Sequence, residues 1–358
     1  MGGDGALFTG EFTTSAMFPK PVRIVEFAVV LSLLVCRTEA DDTHLTDDVI
    51  RTAISKSLPL LEKGAKGSLE QSKRCFNCHN QGLPMMALVA ARTRGFEIDS
   101  VHLTQQTQFV ANFLTQNKEQ YREGKGQEGQ VDMAGYALWA LDIGHWKPDD
   151  TTAAVAEYFL RRQAELEHWK PEARRPPAEQ SFFTSTYVAL RGLTIYGTGD
   201  QQERIEARID RVRQWLMKTK PADTEDRVFR LRALQLIDST EETLKQAATE
   251  LIDTQHDDGG WAQCDDMSSD AYATGTALVA LQESGGLTTV DRRYRHGLKY
   301  LISIQQDDGS WHVVSRSKPF QPYFESGYPH DTDQFISIAA ASWSTTALAL
   351  SLPKQADK

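Results

Sequence analysis

Long apolar runs, sheet-like alternation, basic clusters and cysteine are all scarce in this chain of 358 residues. The principal apolar run, residues 27–36, is too short to span a bilayer as a stable helix. No alternation of apolar and polar residues lasts long enough to build a sheet, so the helical periodicity elsewhere has no β competitor. The net charge is −10 and Lys and Arg form no dense cluster, which removes nucleic acid as a partner. Four cysteines occur, at positions 36, 75, 78 and 264. What remains is an ordinary globular composition, 40% hydrophobic and 25% charged, with length for one large or two ordinary domains.

The N-terminal stretch has the order of a secretory signal peptide. Lys20 and Arg23 precede the apolar run, and Thr38-Glu39-Ala40 follow it as a small-residue cleavage site. Residues 1–40 are therefore expected to be a leader, with Met17 an alternative start. A lipoprotein reading through Cys36 is poorer, because Val35 is bulky where a small residue is wanted. The mature part is expected to be one domain, 41–352, with a tail at 353–358. Export would place it in a periplasmic or extracellular, disulfide-permissive compartment.

Beyond the leader a pattern recurs. A charged amphipathic helix is followed by a polar connection and then by a helix rich in small residues carrying Ala-Leu. The Ala of that pair falls at Ala87, Ala137, Ala189, Ala233, Ala277 and Ala347, spaced by roughly 44–52 residues until a longer last step. First helices are expected near 47–62, 103–118, 151–166, 204–218, 242–255 and 291–306. Small residues on the second helices suit an inner, crowded layer, and charge on the first suits a solvated one. Two insertions interrupt the period, residues 169–180 (WKPEARRPPAEQ) and the aromatic stretch 315–337. A long aromatic loop over one end of such an array is where function tends to collect.

Two connections share a tighter signature. AATELIDTQHDDGGWAQ and GLKYLISIQQDDGSWHV both end a helix in Gln, a turn with Gly, and Trp: Gln255, Gly259, Trp261 and Gln305, Gly309, Trp311. Glycine tolerates the left-handed backbone that ends a helix, and the Trp re-enters the apolar interior with its N–H seeking a carbonyl. This turn resembles the QxxDGxW motif of squalene and oxidosqualene cyclases, which occurs in weaker form in protein prenyltransferase subunits. The resemblance implies an all-α fold, an α/α-toroid of about six helical hairpins around a central cavity. An open solenoid is the architectural rival.

A second motif lies in the first hairpin. Cys75-Phe-Asn-Cys78-His79 has the C-x-x-C-H spacing of a c-type haem attachment site. The two thiols would add to the haem vinyl groups and His79 would ligate the iron, with Met86 or Met85 as candidate sixth ligands. Haem attachment follows export, so leader and motif agree. Cys75 and Cys78 could instead form a disulfide or exchange site. They could also join a zinc site, which would have to recruit His79 beside Cys264.

Three functions follow: an exported haem c protein with a redox partner, an enzyme acting in the ring cavity on an apolar or carbohydrate-like molecule, and a binding scaffold without chemistry. For the enzyme, Asp265, Asp266, Asp270, His330 and Asp333 are the candidate acids and bases. The resemblance to squalene–hopene cyclases implies an acidic D-x-D-D motif. Here Gln263-Cys264-Asp265-Asp266 lacks the first Asp, and the chain is about one toroid long where those cyclases resemble two. The prenyltransferase resemblance implies a zinc site, for which Cys264, Asp265 or Asp266, and His330 are the right types in an unmatched order.

Overall fold

The outer and inner helices alternate as the periodicity demands. A computed structural model describes residues 45–71, 76–318 and 323–355. The expected leader at 1–40, Cys75 and part of the aromatic insertion, including Phe320, lie outside these residues. The helices are α1 (Asp47–Gln71), α2 (Leu83–Arg92), α3 (Ser100–Gln116), the short α4 (Lys118–Arg122), α5 (Gln130–Ile143), α6 (Asp150–Arg161), α7 (Phe182–Tyr196), α8 (Gln202–Lys218), α9 (Thr224–Leu236), α10 (Glu241–Ile252), α11 (Ala271–Glu283), α12 (Arg292–Ser303) and α13 (Gln334–Leu350). Among the described residues there is no strand, only isolated bridges at Arg175–Glu179 and Trp261–Asp270. No described helix is long and apolar enough to cross a membrane.

The pairs α1/α2, α3/α5, α6/α7, α8/α9, α10/α11 and α12/α13 form six hairpins. The second members pack in sequence, α2 on α5, α7, α9, α11 and α13, and α13 returns to α2. The array is therefore a closed ring, an α/α-toroid, and not an open solenoid. Closeness is set by small residues: a Cβ on Gly275 of α11 would lie 2.8 Å from the backbone nitrogen of Ser344 on α13. The inner helices are almost wholly buried, as α13 is from Ile336 to Ala349, while α8 and α12 bury one stripe each.

The repeated turn is the fastener. Trp261 and Trp311 are fully buried, and their indole N–H groups donate to Leu251 and Leu301 carbonyls at 2.9 and 2.8 Å. Gln255 donates to the Gly259 carbonyl across its own turn (2.8 Å) and to the Arg293 carbonyl on the next outer helix (2.9 Å). Gln305 repeats this at the seam, to Gly309 (3.0 Å) and to Ala53 of α1 (2.9 Å). Thus the last hairpin grips the first with the same bond that joins the fifth to the sixth. Gly309, at φ +91°, lies so close to α1 that a Cβ would stand 2.3 Å from the Lys56 carbonyl oxygen.

A third, unrecognised copy sits in the residue 169–180 insertion. Trp169 is fully buried and donates to Phe159 O at 3.1 Å, ten residues back as in the other two. Its glutamine, Gln163, keeps the spacing but turns to Lys170, donating to the carbonyl (3.3 Å) and accepting from the N–H (2.7 Å). The tie to the next outer helix comes instead from Arg208, which stacks 4.1 Å from the indole centroid and donates to the carbonyls of Gln163, Ala164, Leu166 and His168.

The middle of the ring is not open throughout. Arg232 of α9 lies over Trp139 of α5, Tyr187 of α7 and Trp343 of α13, 5.1–5.5 Å from their centroids. It also donates to the Tyr187 hydroxyl (3.1 Å) and pairs with Glu283 at 2.9 Å. Side chains from four inner helices therefore meet on the axis, and free space is left towards one end.

Candidate functional site

That space is a cavity of about 690 Å³ bordered by the C-terminal end of α3, by the N-terminal ends of α5 and α13, and by the segments that precede α2, α5, α7 and α13. Part of its wall is apolar: Phe76, Phe113, Met133, Phe335 and Ile336. The rest is polar: Cys78, His79, Arg175, Glu179, Lys318 and Asp333. Cys78 and His79 stand in a π-helical turn, Cys78–Gly82, that runs directly into α2 through Pro84. The Asn77 side chain accepts from Asn80 N, and Gln81 Oε1 accepts from Asn77 N at 2.7 Å, which fixes the turn. Glu179 comes from the other insertion, where a backbone bridge to Arg175 and an ion pair with its guanidinium hold it.

These three side chains converge. Cys78 Sγ is 3.2 Å from His79 Nδ1 and 4.0 Å from Glu179 Oε1. Burial drives the Cys78 thiol well above its usual range, with Glu179 adding to the effect. Burial, then Arg175, pushes His79 down to about 4, so its imidazole is neutral at neutral pH. Burial also raises Glu179, against the pull of Arg175.

Deeper in the ring the first turns of the inner helices carry more acids. Ser185 donates to Asp132 at 2.5 Å, Thr184 to Glu225 at 2.8 Å, and Tyr272 to Glu225 at 3.1 Å. This arc joins α5, α7, α9 and α11. Desolvation lifts Asp132 to about 7 and Glu225 to about 8, in spite of those hydrogen bonds. Helix N-termini favour negative charge, which suits acids placed there.

The residues singled out from sequence do not gather in one place. Asp265 and Asp266 are exposed on the loop before α11, with Arg227 3.6 Å from Asp265. Asp270 caps α11 through Ala273 N and accepts from Gln263. Cys264 is half-buried on the same loop. His330 bonds Ser310 at 2.9 Å and stacks on His312, beside a separate hollow of about 390 Å³. Of the candidate acids and bases only Asp333 borders the larger cavity, where it accepts from His312 and from Ser315 N. Met85 is buried in the core and Met86 packs against it; neither lines the cavity, whereas Met133 does. Glu179, Arg175, Asp132 and Glu225 were missed, although an acid among small apolar residues, as in QVDMAGYALWAL, was a usable signal.

The ring, its buried motif tryptophans and a family match now coincide. The model of the prenyltransferase alpha-alpha toroid domain matches residues 101–228 and 227–321, more than half of the chain. The chain belongs to the prenyltransferase α/α-toroid family. Its first hairpin, with Cys78 and His79, lies outside the segments matched by that toroid domain. Among solved structures, the ligand-free type II terpene cyclase MstE from Scytonema is 13% identical, over 84% of this chain and 98% of that one, with a TM-score of 0.51. A protein from Actinoplanes is 13% identical over 84% and 99%, with a TM-score of 0.55. An aspartate-to-alanine variant of MstE holding its product merosterolic acid A is 12% identical over 86% and 99%, at 0.50. At these identities the likeness is one of fold. No curated protein matches the sequence.

Proposed function

We propose that this toroid protein is an exported enzyme that takes a small, largely apolar molecule into the ring cavity and acts on its polar end at the wall formed by Cys78, His79 and Glu179. The carrying observation is that the 690 Å³ cavity is lined both by apolar side chains and by the Cys78, His79 and Glu179 cluster. Toroid neighbours of terpene-cyclase type handle molecules of isoprenoid character, as the merosterolic acid complex illustrates. Alkene-protonating cyclisation by Asp265, Asp266 or Asp270 draws no support, because none of them borders the cavity.

A covalent haem and a redox partner draw no support either. The matched family model is that of a toroid domain, and Cys75, the second thiol of the motif, lies outside the described residues.

Calorimetric titration with an isoprenoid alcohol, in chelator, tests the cavity. Binding should weaken by about tenfold or more in Ile336→Arg, which puts an unpaired charge in the apolar wall. Mass spectrometry of the incubated alcohol should show conversion by the native protein and none by Glu179→Gln. Equal binding by Ile336→Arg would refute the cavity, and binding without conversion would make the chain a scaffold.

A further inference from the structure

We infer that Cys78, His79 and Glu179 form a mononuclear site for a divalent, zinc-type ion, with its fourth coordination position open to the cavity. The inference names the agent at the polar wall of the function proposed above, and it rests on that reading only for what the ion would act upon.

Among the described residues these three are the one set of His, Cys and acidic side chains whose donor atoms all lie within 4.8 Å of one another. The distances suit a common ion. A tetrahedral zinc with ordinary bond lengths separates sulfur, nitrogen and oxygen ligands by about 3.4–3.6 Å. The 3.2 Å from Cys78 Sγ to His79 Nδ1 and the 4.0 Å to Glu179 Oε1 straddle that value. Rotation of these side chains, whose donor atoms all lie within 4.8 Å of one another, brings the three onto one centre. The donor set, one sulfur, one imidazole and one carboxylate, suits zinc better than magnesium or calcium, which prefer oxygen alone.

The supporting groups are also in place. The two oxygens of Glu179 divide their work: Oε2 pairs with Arg175, and Oε1 faces the sulfur. An outer partner that fixes a ligating carboxylate in this way is a regular part of metal sites. All three ligands border the cavity, so a water or an oxygen of the bound molecule reaches the remaining position. Three protein ligands and one open position is the arrangement of catalytic zinc sites, whereas structural sites are closed by four. The site is unrelated to Cys264, Asp265 and His330, which the structure leaves apart.

The test uses the full chain, produced in an export-competent, haem-maturing host, reduced and stripped of metal. Titration with Co²⁺ should give a thiolate-to-cobalt charge-transfer band saturating at one ion per chain and displaced by Zn²⁺. Cys78→Ser should abolish that band, Glu179→Gln should weaken Co²⁺ binding at least tenfold, and Cys264→Ser should leave both unchanged. Circular dichroism of each variant checks that the helices persist. A covalent haem absorption band, a cobalt band that survives Cys78→Ser, loss of the band in Cys264→Ser, or no stoichiometric binding would overturn the inference. The isoprenoid titration is run in chelator, so failure of cobalt binding leaves the cavity reading standing, and failure of the alcohol to bind leaves the metal site standing.

Discussion

Glu225 gives the sharpest stability prediction, because its sign runs against intuition. The side chain is buried in the first turn of α9 and accepts from Thr184 and Tyr272. Desolvation raises it to about 8, with Asp223 and Asp226 adding to the rise and the two hydrogen bonds opposing it. An unfolded glutamate titrates near about 4.3. Between these values the native state keeps a proton that the unfolded chain has released. The group therefore costs nothing below the unfolded pKa, and stability falls as pH rises towards the folded one. The slope is about 1.4 kcal/mol per pH unit, accumulating to about 5 kcal/mol at most by pH 8. That is comparable with the whole stability of many domains. Glu225→Gln keeps the shape and both neighbours, with its amide N–H donating to the Tyr272 hydroxyl, and removes the titration. Urea unfolding at several pH values from 5 to 8 should show the variant gaining on the native protein as pH rises. Parallel pH curves, or a variant that loses ground at high pH, would refute the reasoning.

Other substitutions probe the ring itself. Asp132→Asn should remove a second, similar slope centred lower, since burial holds that acid at about 7; the same urea series reads it. Gln305→Ala and Gln255→Ala should each lower stability by about 1–3 kcal/mol, since each deletes two hydrogen bonds to carbonyls and the two sites are built alike. An effect confined to Gln255 would deny that the ring is closed. Gly309→Ala should be strongly destabilising, from its positive φ and the Lys56 carbonyl, while Gly199→Ala, with nothing within 4 Å of its added Cβ, should be close to neutral; thermal melts compare them. Arg232→Lys should destabilise measurably despite keeping the charge, because an ammonium cannot reproduce a planar group set among three rings; tryptophan fluorescence during unfolding follows it.

The ring was legible because its fastening is local. Gln305, Gly309 and Trp311 lie within seven residues, and each does in space what its chemistry suggests in sequence. The Ala-Leu spacing likewise reports the inner layer, since crowding by neighbours leaves a periodic demand for small side chains. Trp169 was hidden because the turn between Gln163 and it has no glycine, and because its tie to the next outer helix came from elsewhere: Arg208, thirty-nine positions later, makes the bridge that Gln163, turned onto Lys170, does not. Glu179 was hidden for a similar reason. Nothing local marks one glutamate in a proline-rich insertion, and its meaning appears only when the fold carries it about a hundred positions back to Cys78. The acids chosen from sequence shared the opposite error. Asp265, Asp266 and Asp270 cluster along the chain, but a turn and a helix cap separate what sequence puts side by side.

The position of the cavity follows from where the repeat is broken. In hairpins five and six the connection is spent on the Gln–Trp fastener, and its polar groups are consumed in holding neighbours together. Hairpin one has no such turn; its connection is the π-helical segment with Cys78 and His79. Hairpin three keeps both Gln163 and Trp169, but Arg208 makes the tie to the next outer helix, and the rest of its long connection brings in Arg175 and Glu179. Both connections precede inner helices, so both open on the end of the ring where helix N-termini gather. Arg232 and its aromatic cage close the axis below them. The cavity thus opens where connections released from structural duty supply the reactive groups. Restoring a Gln–Trp fastener to hairpin one, by replacing residues 75–79 with the Gln305–Trp311 sequence, should raise the melting temperature and abolish both cobalt and alcohol binding. A grafted chain that still bound the alcohol as well as the native one would place the ligand elsewhere in the ring.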